Sequence, residues 1–384
     1  MLPGGGIKIA KIFGIEILIN PTWIIIFGLV GFSLSETMKD VAVSGHPGRF
    51  PAGPWPWIFG FGTAIIFFMC LLAHELSHSY VAKRHGVQIR RITLFIFGGV
   101  AEMSEDVTDP GTELRMAVAG PLMTFFLAGV FYLLYRILAA NPNRGPLWLV
   151  PIYLLFYINL FVGLFNLLPG FPLDGGRVFR AIIWKVTGDL RKATRAASYG
   201  GEVIGALLVV AGLVFAFAYN SAISGIWFVL IGAFVFMLSR SSYQQTLFRL
   251  AVADTKVSDL MYRDVPTVSE STTLTTLRTH YFNTYHLPAF PVVDADGKVM
   301  GLVSRDDLVV INPSEWDVLN AGRIANPLKE GQVVDPDSGL DSIMRRVTRT
   351  EDFLLVMREG HVEGILTADE LMRYIKARVK TTHS

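Results

Sequence analysis

The sequence predicts a polytopic α-helical membrane protein, with about six transmembrane helices and short membrane-associated β hairpins, followed by a soluble α/β domain. Three observations carry that prediction. The 384 residues are 52% hydrophobic and only 17% charged, with a mean hydropathy of +0.45; ordinary soluble domains are about 25% charged. Apolar stretches long enough to cross a bilayer recur at 20–36, 57–81, 112–139, 147–169, 200–220 and 223–240. After Arg240 the composition becomes that of a soluble chain, and this tail contains an internal repeat.

The N-terminus alternates in the manner of strands, Ile7-Lys8-Ile9-Ala10-Lys11-Ile12-Phe13 and then Ile15-Glu16-Ile17-Leu18-Ile19, about Gly14. It predicts a short hairpin at the membrane surface. No cleavable signal peptide is evident. The one cysteine, Cys70, excludes an internal disulfide framework. It lies one turn before His74 and reads as a small apolar filler. A net charge of +2 gives no ground for a nucleic-acid partner.

The loops set the direction of the spans. Lys83, Arg84, Arg90 and Arg91 follow the second stretch, and Arg177, Arg180, Lys185, Arg191, Lys192 and Arg195 follow the fourth. The loop between the fifth and sixth has no Lys or Arg. The positive-inside rule then predicts a multi-pass protein of the cell membrane with both termini cytoplasmic. Residues 88–102 are too short and too β-rich for a crossing helix. They read either as an amphipathic loop or as a hairpin whose edge can pair with an extended peptide.

The second span carries His74-Glu75-Leu76-Ser77-His78 among apolar residues. Positions i and i+4 share one face of a helix, so two imidazoles there can hold one zinc ion, with Glu75 placed to work on water. Ionisable groups inside a span are expensive and usually functional. Catalytic zinc takes three protein ligands and keeps one open position. Spans two and four run in the same direction, so the H-E-L-S-H motif and Asp174 both lie near cytoplasmic ends, at matching depth. Asp174 is the acidic residue of Asn166-Leu167-Leu168-Pro169-Gly170-Phe171-Pro172-Leu173-Asp174-Gly175-Gly176, where Pro and Gly break the helix and let a carboxylate turn inward. Its other reading is the N-cap of the helix that follows. Asn166 can donate to a substrate carbonyl or oxyanion, or simply bond a neighbouring helix.

H-E-L-S-H, F-G-G-V at 97–100, A-G-P at 119–121 and N-L-L-P-G-F-P-L-D-G-G at 166–176 resemble the site-2 protease family of intramembrane zinc metalloproteases, in order and spacing, across residues 1–240. The resemblance implies one zinc held by His74, His78 and Asp174, with Glu75 as general base. It also implies cleavage of an unwound transmembrane segment of a membrane-tethered substrate, such as a transcription factor or an anti-sigma factor. One departure shows: Thr124 stands where family members often carry an asparagine, which puts a supporting hydrogen bond in question.

In the tail, Phe290 through Leu308 realigns 63 residues later with Phe353 through Leu371, each copy reading strand, turn, strand, helix. The pair is similar to tandem cystathionine-β-synthase (CBS) domains, which implies a homodimerising sensor for ATP, ADP or AMP. Ser304 and Asp307 match the ribose-contacting pattern of such domains, and Thr367 matches its first residue. Glu370 replaces the expected aspartate of the second copy. The same residues read equally well as helix caps. The expected boundaries are 1–245 for the membrane-embedded domain, 250–312 for the first repeat and 313–384 for the second. Two alternatives from other classes are a CBS-regulated metal-ion transporter and a proteolytically inactive receptor. Polar residues gathered at one depth on two spans argue against the first, and Glu75 argues against the second.

Overall fold

The computed structural model describes residues 6–45, 53–96, 98–103, 107–140, 146–219, 222–252, 255–329, 331–340, 343 and 353–381. The chain divides into two compact units, Met1–Tyr243 and Gln244–Ser384.

The first unit begins with the expected hairpin, β1 (Ile7–Ile12) and β2 (Ile15–Ile19). Phe13 and Gly14 both take positive φ at its turn, the backbone that matches the twist of a two-residue hairpin. Helices α1 (Trp23–Gly45) and α2 (Trp55–Arg84) follow. Residues 88–102 then form a second hairpin, β3 (Ile89–Phe95) and β4 (Gly98–Met103). The two hairpins join into one sheet, order β1-β2-β3-β4, because β2 pairs with β3 in parallel, Ile17 beside Ile92 and Ile19 beside Leu94. Ile15, Ile17 and Ile92 are fully buried and pack against Leu72 and Leu76 of α2. That contact fixes the rotation of α2 about its axis, since Leu72 and Leu76 stand one turn apart on a single face.

The remaining helices are α3 (Pro110–Ala139), α4 (Pro146–Asn166), α5 (Asp174–Thr187), α6 (Leu190–Phe217) and α7 (Ala222–Val252). Asp109 caps α3 by accepting from Thr112 N at 2.9 Å, with Pro110 at the first helical position. Asp189 caps α6 in the same way through Lys192 N. Five helices among the described residues are long and apolar enough to cross a membrane: Trp55–Arg84, Pro110–Ala139, Leu149–Asn166, Leu190–Phe217 and Gly225–Leu250. The sixth expected crossing falls on α1, whose second half carries Glu36, Lys39 and Asp40. Leu122, Phe126, Leu133 and Ile137 recur at helical spacing along α3 and stay exposed, as a lipid-facing stripe would.

A buried ion pair ties α3 to α5. Glu113 of α3 is fully buried and accepts from Arg180 of α5, whose Nε lies 2.7 Å from Glu113 Oε1. The Arg180 guanidinium also lies over the Phe171 ring, 5.0 Å from its centroid. Phe171 is itself held on both sides. Its N–H donates to Ala197 O of α6 at 3.0 Å, and its carbonyl accepts from Ser239 Oγ of α7 at 2.5 Å. The broken stretch between α4 and α5 is therefore fastened to three helices just before Asp174.

The second unit shows the repeat directly. In the first copy, β6 (Val268–Ser269) runs parallel to β7 (Ala289–Val293), which pairs antiparallel with β8 (Val299–Ser304). In the second, β9 (Val333–Val334) runs parallel to β10 (Phe353–Arg358), which pairs antiparallel with β11 (His361–Thr367). Strand β5 (Tyr262–Arg263) adds to β11. Helices Arg305–Val309 and Ala368–Thr381 begin directly after β8 and β11. The copies share a core: Leu355 and Ile365 of the second pack among Phe282, Phe290, Leu302 and Val303 of the first.

Removing one partner of a buried ion pair leaves the other charged and desolvated, at a cost of about 3–5 kcal/mol. Arg180→Met should therefore lower the unfolding free energy of the purified protein by about 3 kcal/mol. Adding Glu113→Gln should recover part of that loss, because the unpaired charge is gone. Denaturant titration in detergent micelles reads both, and equal stability of single and double variants would contradict the pairing.

Candidate metal centre

His74 and His78 lie one turn apart on α2, nearly fully buried, on a helix whose rotation the sheet has set. Each imidazole is held from behind. His78 Nδ1 lies 2.6 Å from the carbonyl of Met116 on α3, so it must carry the proton and donate. Met116 is placed by its packing against Ala82 and Val87. His74 Nδ1 lies 2.8 Å from Thr124 Oγ1. The Thr124 hydroxyl donates its single proton to Gly120 O at 3.2 Å, so it accepts from His74 Nδ1–H. Thr124 thus supplies the supporting hydrogen bond that the departure from asparagine had put in question.

With both Nδ1 atoms protonated, both Nε2 atoms present lone pairs, and they face each other at 3.1 Å. Asp174 closes the group: Oδ2 lies 3.1 Å from His74 Nε2, and Oδ1 lies 3.2 Å from His78 Nε2. Three acceptors at such separations repel unless a cation lies among them. Nitrogen ligands about 2.0–2.1 Å from a tetrahedral zinc stand about 3.3 Å apart, so the donor set and its spacing fit a bound metal ion. Asp174 is the first residue of α5; the preceding position is Leu173, and no side chain caps this helix. The N-cap alternative for Asp174 is therefore not what the structure shows.

Glycines let these groups meet. A Cβ on Gly120 of α3 would lie 2.2 Å from His78 Nε2 and 2.7 Å from His74 Cε1. A Cβ on Gly99 of β4 would lie 2.5 Å from Glu75 Cγ. The A-G-P and F-G-G-V motifs thus place a bare backbone where the imidazoles and Glu75 need room; Phe97 lies outside the described residues. A cavity of about 230 Å³ opens beside the cluster, lined by Glu75, His78 and Asp174 together with β4 and Arg177.

The sequence motifs named the cluster but not everything around it. Asn166 ends α4, is half-buried and does not line the cavity. Cys70 is buried apart from the cluster. The family resemblance marked Thr124 as a supporting position, but motif spacing gave no sign that the Met116 carbonyl would meet His78 or that Glu113 would pair with Arg180. A backbone carbonyl has no sequence signature at all. In the second unit, Ser304 and Asp307 form a reciprocal capping box, with Ser304 N 2.7 Å from Asp307 Oδ2. Asn326 Nδ2 donates to the other carboxylate oxygen of Asp307 at 2.8 Å. Thr367 Oγ1 accepts from Glu370 N at 3.2 Å. Ser304 and Thr367 line one cleft of about 760 Å³, whereas Asp307 does not.

The chain is similar in sequence to known proteins. The model of peptidase family M50 matches residues 62–144 and 139–212, and the CBS domain model matches residues 257–311. Rip3 of Mycobacterium tuberculosis is 32% identical over 372 residues, which cover 96% of this chain and 92% of Rip3. The chain belongs to peptidase family M50. The zinc metalloprotease MJ0392 of Methanocaldococcus jannaschii is 30% identical, with 96% of this chain and 95% of that protein covered. A solved site-2 protease from the same organism is 33% identical over 62% of this chain and 95% of its own, with a TM-score of 0.43. This M50 chain is a membrane-spanning metallopeptidase with a CBS pair at its C-terminal end.

Gly120→Ala should displace both imidazoles and reduce metal bound per purified chain by more than half. Gly129→Ala, on the same helix with nothing within 4 Å of its new methyl, should leave metal content unchanged. Elemental analysis of the two variants side by side separates a packing effect at the site from a general effect of alanine in α3.

Proposed function

We propose that the protein is a zinc endopeptidase that hydrolyses a peptide bond within the transmembrane segment of a membrane-tethered substrate. His74, His78 and Asp174 hold one zinc per chain, and Glu75 is the general base. The observation that most supports this reading is the meeting of three buried acceptors at 3.1–3.2 Å beside Glu75, on a helix apolar enough to cross a membrane. The names of relatives such as MJ0392 point the same way. Bound zinc lowers the pKa of a water molecule toward neutrality and polarises the substrate carbonyl.

Glu75 lines the cavity and takes the proton of the attacking water. The water oxygen joins the carbonyl carbon, the C–N bond breaks, and Glu75 delivers the proton to the leaving nitrogen. Thr124 and the Met116 carbonyl keep both imidazoles in the tautomer that presents Nε2. The substrate reaches this point as an extended strand. β4 ends the order of its sheet, and Gly99, Val100 and Ala101 line the cavity. An unwound segment can therefore add to β4 through main-chain hydrogen bonds and lay its carbonyls along Glu75.

The positively charged loops support cytoplasmic termini and residence in the cell membrane of a prokaryote. A membrane-tethered transcription factor or anti-sigma factor, already trimmed by another protease, is the substrate class. Residues 1–245 form the peptidase domain, with CBS repeats at 250–312 and 313–384. The repeats pair two copies of the chain. Their cleft takes ATP, ADP or AMP against Ser304 and Thr367, with occupancy tuning proteolysis; Asp307, engaged by Asn326, contributes through the cap.

Glu75→Gln should keep zinc at the wild-type ratio while cleavage of a co-expressed membrane-tethered substrate falls by about 10²–10⁴. Asp174→Ala should lose zinc as well as activity, and an unchanged zinc ratio would remove it from the ligand set. For the second unit, calorimetry of the full-length protein with ATP and AMP should show saturable binding. Thr367→Val should weaken it about tenfold, the loss of one hydrogen bond. No heat with either nucleotide would leave the CBS pair as a docking module.

A further inference from the structure

Arg177 stands one helical turn after Asp174 on α5 and lines the cavity with Glu75, His78 and Asp174. It is the one Lys or Arg among the lining residues. No ion pair or hydrogen bond joins its guanidinium to another described residue, although two carboxylates share the cavity with it. Arg180, the next arginine along α5, is by contrast committed to Glu113 and to the Phe171 ring. One arginine of the pair holds the fold, and the other, within electrostatic reach of Glu75, spends none of its guanidinium donors on the described residues.

Ser79 adds an independent observation. It lines the same cavity, is 1% exposed, and its Oγ has no hydrogen-bond partner. Serines in helices commonly donate to the carbonyl one turn back. Ser77 does so, to Ala73 O at 2.8 Å, whereas Ser79 does not. A buried hydroxyl left unmatched in the free protein is a donor available to a ligand.

A guanidinium and a hydroxyl beside the acceptor cluster call for an acceptor-rich guest. Along a strand laid against β4, the acceptors are peptide carbonyls, and the one under attack gains negative charge. We infer that Arg177, assisted by Ser79, binds the carbonyl oxygen of the scissile peptide and then the carboxylate that this carbonyl becomes. The inference rests on the proposed peptidase reading. It gives Arg177 the role that the sequence had suggested for Asn166, which does not line the cavity. Fixed donors aimed at developing charge in a water-poor site stabilise the transition state more than the ground state.

Two arms test this. With purified, zinc-loaded protein and a transmembrane peptide that wild type cuts and Glu75→Gln does not, Arg177→Gln should lower kcat by about 10²–10³. Zinc content should stay constant and KM should change by less than about threefold, as loss of a transition-state contact requires. Arg177→Lys should recover part of the rate. The second arm needs no turnover. In the Glu75→Gln background, calorimetry should show N-acetyl-leucyl-leucine binding about tenfold more tightly as its carboxylate than as its amide. Adding Arg177→Gln should cut that preference to less than about half, with the bound metal supplying the rest, and Ser79→Ala should reduce it as well.

Arg177→Gln cutting at the wild-type rate, a carboxylate preference undiminished by it, or loss of zinc from it would each overturn the assignment. Failure of the peptidase reading looks different: wild type would not cut, or Glu75→Gln would.

Discussion

Three acceptors cannot face one another at 3.1–3.2 Å without mutual repulsion, and the membrane-embedded unit is arranged so that His74, His78 and Asp174 do. Each of the three is brought from a different constraint. The sheet sets the rotation of α2 through Leu72 and Leu76. Helix α3 fixes the imidazoles from behind through Thr124 and Met116. The fastened stretch before α5 delivers Asp174. A cation among them would turn this mutual repulsion into attraction.

The same helix that orients the histidines also limits how near they can come. Gly120 lets α3 lie directly against both rings, and Pro121 and Thr124 follow within one turn. Gly99 does the equivalent for β4 and Glu75. Close backbone approach at Gly99 and Gly120 leaves room for Glu75 and the two imidazoles, and the cavity opens beside them. Two residues that carry no chemistry of their own therefore decide whether the imidazoles and Glu75 can take their places.

Arg180, paired with Glu113, and Arg177, facing the cavity, divide two kinds of work on one short helix. Arg180 is desolvated and matched, so it ties α5 to α3. Arg177 is half-buried and lies within electrostatic reach of Glu75, but makes no hydrogen bond through its guanidinium among the described residues, so its donors are open to a ligand. In the second unit a comparable economy holds at Ser304 and Thr367. Each starts a helix by capping it and still lines the shared cleft, since a serine or threonine oxygen can accept from a backbone N–H and contact a guest as well.

Much was legible in the sequence because local chemistry repeats with a period. Hydropathy marked five of the six expected spans, alternation marked the first hairpin and left residues 88–102 open between a loop and a hairpin, and the 63-residue repeat marked the paired strand–turn–strand–helix units. The H-E-L-S-H spacing put two imidazoles on one helical face, and topology put Asp174 at their depth. The parallel pairing of β2 with β3 was not legible, because the partners are separated by two long helices and strand pairing leaves no mark in either segment alone. Nor were the Met116 carbonyl behind His78 or the distinct fates of Arg177 and Arg180, identical residues three positions apart. The sequence by itself determined which groups could bind a metal. Tertiary structure decided which atoms face it and which donors remain open, because those depend on helix rotation and backbone approach, set only when the helices and the sheet pack together.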